Sequence, residues 1–186
     1  MNVNGDIGMG CYLQISSGPD LKAPAATAKG TGLDGNKWIA LDGYSFGVSR
    51  SIDMVVGAQT NMDKGLTSFG EVSIRKKLDS GSELLMSYLY APGESGQEVH
   101  IVSTKPSRGG HGQEVAFAIK LLGVRPSSSS YDADHDGQVR ENYSLTYTAI
   151  DVQFYYETTE GKLSKGGLVG YTLPEGKCTS ICDGLS

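Results

Sequence analysis

Basic runs, long apolar runs and a disulfide framework are all missing from this 186-residue chain, and each absence removes a class of function. The 16 Lys and Arg are scattered among 21 Asp and Glu for a net charge of -5. No stripe of positive charge exists to neutralise phosphates, which excludes nucleic acid as a partner. No window approaches the roughly 18 uninterrupted apolar residues of a spanning helix, which excludes membrane insertion. The opening "MNVNGDIGMG" lacks the basic start and apolar block of a secretory signal, so synthesis as a cytoplasmic protein is expected. The three cysteines, Cys11, Cys178 and Cys182, are odd in number and split between the start and the tail. Cys178 and Cys182 are close enough to pair locally and equally suited to remain free thiols. The histidines at 100, 111 and 135 are scattered, and His100 and His111 have no carboxylate or cysteine at ligand spacing, so no zinc site and no Ser-His-Asp set is expected. No cofactor and no catalytic residue are expected.

What is abundant is glycine, 26 residues against only 6 prolines, which indicates glycine-punctuated strands and turns in one domain. "CYLQIS" alternates, with Cys11, Leu13 and Ile15 on one face and Tyr12, Gln14 and Ser16 on the other. Ser17 to Asn36 has no periodicity and is long for a connection inside a domain. "KWIALDGYSFGVSR" carries two alternating sets, Ile39 with Leu41 and then Tyr44, Phe46 and Val48, whose phase slips at Asp42-Gly43 as at a β-bulge. "FGEVSIRKKLD" predicts a strand with Val72 and Ile74 inward and Glu71, Ser73 and Arg75 outward. "SGSELLMSYLYAPG" predicts the one helix, with Leu84, Leu85, Tyr88 and Leu89 on one face, a serine cap from Ser80 or Ser82, and a stop at Ala91-Pro92-Gly93. "EVHIVS", "EVAFAIKLLGV" and "NYSLTYTAIDVQFYY" alternate in turn. Val115, Phe117, Ile119 and Leu121 form one inward row and Val152, Phe154 and Tyr156 a second. A short strand at "LVGYTL" precedes a polar tail. Roughly seven strands and one helix without βα alternation imply a mainly β fold, an antiparallel β-barrel of two packed sheets with one short flanking α-helix.

Three motifs carry chemistry on paper. "GYSFG" matches G-x-S-x-G, yet Ser45 lies inside an alternating strand where a nucleophile elbow needs a strand-to-helix turn. "RGGHGQ" precedes a strand, not a helix, so it reads as a hairpin turn and not as a phosphate loop. "YDADHDGQVRE" places Asp132, Asp134 and Asp136 at positions 1, 3 and 5 of a calcium loop, with Gly137 at 6 and Val139 at 8. Position 12 is Tyr143, and Glu141 comes two residues early. Neither flanking helix is present. An acidic hairpin loop is the favoured reading, and a loosely held calcium ion on the three aspartates is the alternative.

The opening "YLQI" strand, the long loop, "WIALDGYSFGVSR" and then "FGEVSIRKKLDSGSELLMSYL" together resemble the haemolysin-coregulated protein (Hcp) family, the tube subunit of bacterial type VI secretion systems. The resemblance runs from about Cys11 to Leu173. Its most specific part is the Phe-Gly-x-x-x-Ile-x-Lys-Lys-x-Asp run leading into the leucine-rich helix, Phe69 to Leu85. Glu83 stands where the family often has proline, and an acid in the first turn suits the helix dipole. The resemblance implies a homohexamer, rings stacked into a tube, no active site, and export without a signal peptide after assembly in the bacterial cytoplasm. It implies as partners a VgrG-like spike protein at the tube tip, a contractile sheath, and secreted effectors carried in the lumen. Residues 1–9 are then a disordered extension, 10–174 the barrel domain and 175–186 a polar tail. Contacts between subunits are expected at Asp20 and Lys22 in the first long loop. A second set is expected at Met54, Val55, Val56, Asp63 and Lys64, where apolar residues in "SIDMVVGAQTNMDKG" either anchor a neighbour or finish a core strand.

Overall fold

The computed structural model describes residues 10–22, 33, 36–54, 56–57, 62–63, 65, 67–108 and 112–180, with the backbone alone at 62, 63 and 180. The elements in order are β1 (Cys11–Ile15), β2 (Trp38–Leu41), β3 (Gly43–Ser45), β4 (Val48–Ser49), β5 (Ile52–Asp53), β6 (Met62–Asp63), β7 (Ser68–Phe69) and β8 (Val72–Lys77). The helix α1 (Ser82–Tyr90) follows, then β9 (Gln97–Pro106), β10 (Gln113–Ala133), β11 (Val139–Thr146), β12 (Ala149–Glu157), β13 (Leu163–Thr172) and β14 (Lys177–Ser180). Strands outnumber the expectation because short ladders form inside what reads as loop. All pairings are antiparallel, as hairpin-linked strands with one buried face require.

The longest strand organises the rest. β10 pairs along its first half with β9 and β12 and along its second half with β11, so it passes from one sheet into the other. The change of sheet falls at the register shift between Leu121 and Val124. Two glycines make that corner: Gly123 has φ +60° and Gly96, packed against its backbone, has φ +71°. The first sheet runs β2-β1-β9-β10-β12-β13-β14 and the second β10-β11-β8-β3. At the other side β2 pairs with β1, β3 pairs with β8, and Asp42 between them donates its N–H to the Arg75 carbonyl at 2.8 Å. The phase slip at Asp42-Gly43 is thus a change of sheet and not a bulge inside one strand. The expected antiparallel barrel of two packed sheets holds in part: two antiparallel sheets share β10, and no closed barrel is found among the described residues.

One apolar cluster fills the space between the sheets, with Leu13, Ile39, Ile101, Ile119 and Leu121 from the first and Val72, Ile74, Tyr143 and Leu145 from the second. Each such side chain stabilises the fold by about 1.5–3 kcal/mol relative to exposure. Helix α1 closes one end, its Leu85 buried in that cluster and Leu84 and Tyr88 packed on it. The back of the first sheet is covered too: Tyr12 and Trp38 are buried there with Val102. "CYLQI" is therefore buried on both faces.

Three local expectations are corrected. The helix has no side-chain cap; Gly81 is its N-cap residue, and Ser82 Oγ is turned inward to accept from the Asp79 N–H at 3.0 Å. Phe154 and Tyr156 are 45% and 59% exposed and do not form an inward row, because β12 ends beyond the area covered by the second sheet and its register shifts between Gln153 and Tyr155. Val115 does not share the inward row of Phe117, Ile119 and Leu121, because the register shifts between Val115 and Phe117 and Val115 packs instead with Tyr12, Trp38 and Val102.

Candidate assembly surfaces

Between Phe46 and Gly70 the chain leaves the sheets as an arm built of two short ladders. Val48 pairs with Phe69 and Ser49 with Ser68, then Ile52 with Asp63 and Asp53 with Met62. The root is pinned twice: the buried Tyr147 hydroxyl donates to the Gly70 carbonyl at 2.9 Å, and the Phe69 ring lies 4.6 Å from the Tyr171 ring. Burial raises the Tyr147 pKa, so the hydroxyl stays a donor at neutral pH. Beyond the root the arm buries little: Val48 is 49%, Ile52 51%, Met54 83% and Val56 102% exposed. Met54 and Val56 finish no core strand. Val55 and Lys64 lie outside the described residues, and of Asp63 only the backbone position in β6 is described.

A second unpartnered apolar surface lies on the first sheet. Along the cross-strand row Ile119, Val152, Val169, burial falls from complete at Ile119 to half at Val152, and Val169 is 44% exposed. The parallel row from Phe117 to Phe154, rings 5.6 Å apart, ends equally open. The core face of the sheet simply continues past the edge of the sheet that covers it. β14 borders this surface as an edge strand, paired on one side only with β13.

The first long loop meets α1. Lys22 pairs with Glu83 at 2.5 Å, Lys37 lies 4.0 Å from Asp20, and Pro19 to Lys22 line a shallow cleft against Ser80, Glu83, Leu84 and Ser87. Asp20 and Lys22 are therefore surface residues beside α1. Residues 23–32 of that loop lie outside the described residues.

The remaining chemical candidates do not assemble. Ser45 is exposed on β3 opposite Ser73. Asp132 sits at the end of β10 across from Arg140, while Asp134 Oδ1 accepts from the Asp136 and Gln138 N–H groups at 3.1 and 2.9 Å. Asp134 thus closes its own hairpin turn with Gly137 at φ +77°, and Asp136 pairs outward with His135. Among the described residues no three His, Cys, Asp or Glu side chains gather to hold a metal. "RGGHGQ" is the β9–β10 hairpin, closed by Pro106 opposite Gln113; His111 lies outside the described residues. His100, expected without a carboxylate, meets Glu98 at 2.8 Å, because residues two apart share a strand face. That hydrogen bond, more than Lys120 nearby, lowers the Glu98 pKa. Neither Cys11 nor Cys178 forms a disulfide among the described residues, and Cys182 lies outside them. No helix among the described residues is long and apolar enough to cross a membrane.

The family model for the type VI secretion system effector Hcp matches residues 26–154, well over half of the chain. No curated protein matches. Among solved structures, a type six secretion system protein is similar over 92% of this chain and 100% of its own, with 19% identity and a TM-score of 0.74. Hcp1 from Salmonella typhimurium is 15% identical over 91% of this chain and 98% of its own, with a TM-score of 0.64. The secreted protein Hcp3 from Pseudomonas aeruginosa is 15% identical over 86% and 97%, with a TM-score of 0.52. At such identities the structural likeness speaks for the fold. The matched family model, spanning the arm, the "FGEVSIRKKLD" strand and the helix, carries the membership: this chain belongs to the Hcp family of type VI secretion system proteins.

Proposed function

We propose that this chain is the structural subunit of the type VI secretion inner tube, forming hexameric rings that stack and are ejected with effectors in the lumen. The observation that carries this reading is the pair of exposed apolar surfaces on one monomer: the arm with Ile52, Met54 and Val56, and the open sheet face with Phe154 and Val169. Both stay exposed together, so the arm does not cover its own sheet. Burying one against the other between copies is a heterologous contact, the kind that closes into a ring or repeats along an axis. Contiguous apolar surface of this sort is costly to leave in water on a monomer. The role is structural, with a VgrG-like spike, the sheath and effectors as partners and secretion without a signal peptide as the route; the family membership supports each of these.

Negative-stain electron microscopy of the purified chain across a wide concentration range tests the proposal. Rings are expected, with stacks at high concentration. Met54→Asp with Val56→Asp leaves a folded monomer and removes them. Monomers alone at every concentration overturn the reading.

A further inference from the structure

The Phe69 to Leu85 run is the most specific stretch of this sequence, and its polar members meet inside the protein. Lys76 follows Val72 and Ile74 on the inward side of β8 and is completely buried. Its ammonium reaches Asp79 Oδ1 and the Lys77 carbonyl at 2.7 Å each, Ser82 Oγ at 2.8 Å, and Glu141 Oε2 on β11 at 3.4 Å. An ammonium has three protons, so the three short contacts saturate it and Glu141 is left with the long one. Glu141 is equally buried, and its Oε1 accepts no hydrogen bond among the described residues.

As a source of stability this pair is poorly built. The short contacts of Lys76 go to Asp79, Ser82 and the Lys77 carbonyl, while Glu141 is taken out of water for one long contact and one unsatisfied oxygen, conditions under which its desolvation outweighs the attraction. As a locating device it is well built. Ser82 Oγ accepts from the Asp79 N–H at 3.0 Å and Asp79 Oδ1 accepts from the Gly81 N–H at 2.8 Å, so the whole turn into α1 converges on one ammonium. The helix itself has no side-chain cap. Its apolar contacts through Leu85 are non-directional and leave its rotation and height free, whereas hydrogen bonds fix both.

We infer that Lys76 is the positioning residue of α1. With Glu141 as its buried counter-ion it sets where the helix, and the Pro19–Lys22 segment resting on it, sits against the second sheet, and the pair contributes nothing to the stability of the β core. The test uses the full chain with Lys76→Met and with Lys76→Met/Glu141→Leu, following urea unfolding and amide hydrogen exchange. The single variant strands Glu141 and unfolds at lower urea. The double variant recovers the wild-type midpoint or exceeds it, while the Asp79, Gly81, Ser82 and Leu85 amides exchange about tenfold faster and the β8–β11 ladder is unchanged. If those amides keep wild-type protection in the double variant, apolar packing positions the helix and the inference fails. It fails equally if the double variant unfolds as early as the single one or does not fold, because the pair is then a stability element.

Discussion

Gly96→Ala and Gly93→Ala form a matched pair that isolates the corner where β10 changes sheets. Both glycines lie between α1 and β9 with nearly the same backbone, φ +71° and +79°, so the conformational penalty of a side chain is the same. That penalty is about 1 kcal/mol. The space around them differs. A Cβ on Gly93 meets nothing nearer than Gln97 Nε2 at 3.7 Å, a flexible amide in ordinary contact. A Cβ on Gly96 falls 2.6 Å from the Gly123 carbonyl carbon, 2.8 Å from its oxygen and 2.9 Å from the Val124 oxygen. Those are backbone atoms of the corner itself, and they have no free direction to move in: Gly123 already faces Thr148, whose Oγ1 lies 2.5 Å from where a Cβ on Gly123 would be. Overpacking of this kind costs a further ~1–3 kcal/mol.

Gly93→Ala is therefore expected to lower stability by about 1 kcal/mol and Gly96→Ala by roughly 2–4 kcal/mol. Urea unfolding followed by the fluorescence of Trp38, the single tryptophan and a buried one, measures both. A difference of about 1 kcal/mol or more is well resolved by the shift in midpoint at constant slope. Equal losses for the two variants would refute the claim that close backbone packing, and not merely positive φ, holds the corner.

Tyr147→Phe deletes the hydroxyl that satisfies the Gly70 carbonyl at the arm root and is expected to cost about 1–2 kcal/mol, with a larger fractional loss of assembled rings in electron micrographs than that destabilisation alone produces. Asp134→Ala removes the acceptor of two N–H groups in the acidic hairpin, so the melting temperature falls by the same amount with and without millimolar calcium; a calcium-dependent rise confined to the wild type would restore the ion-binding alternative. The phenols of Tyr44, Tyr143 and Tyr147 are all raised above 10.0, chiefly by burial. Their protonated forms are favoured in the folded state, so this contribution is complete below about pH 10 and declines as the unfolded chain ionises above it. Urea midpoints between pH 9 and 12 should fall, less steeply in Tyr143→Phe, and a flat profile would contradict the assigned burial.

How much of this was legible beforehand follows from the range of the forces involved. Alternation reports which face of a strand is apolar, and Leu13, Val72, Ile74, Ile119 and Leu121 lie in the core as their spacing predicts. It does not report where the covering sheet ends, which is why Phe154 continues the pattern of Ile119 and Val152 yet stands in solvent. Burial is a property of the partner surface, and no spacing within β12 encodes it. The same limit explains Lys76. Its position on the inward face of "VSIRKK" was visible in the alternation that placed Val72 and Ile74 inward, but a lysine there is read as solvated because the groups that accept its protons come from other elements. One of those groups, Ser82, had been assigned to capping, and in the structure the same hydroxyl serves the turn and the buried ammonium together.

The arm is a case in which the local sequence leaves two readings open, an anchor for a neighbour or the end of a core strand, and the exposure of Met54 and Val56 removes the second. In "SIDMVVGAQTNMDKG" apolar residues stand among turn formers with no long periodic run. Met54 and Val56 are exposed because the short ladders of the arm carry them away from both sheets, and no element among the described residues covers them. Backbone pairing at Val48 and Ile52, with the root fixed by Tyr147 and Tyr171, restrains the arm and lowers part of the ordering cost that binding would carry. That preorganisation distinguishes the arm from a floppy hydrophobic loop, and it predicts that weakening the root at Phe69 by Phe69→Ala impairs assembly even though every contact residue at the tip is retained. Assembly at wild-type concentration in Phe69→Ala would show that the tip binds without its support.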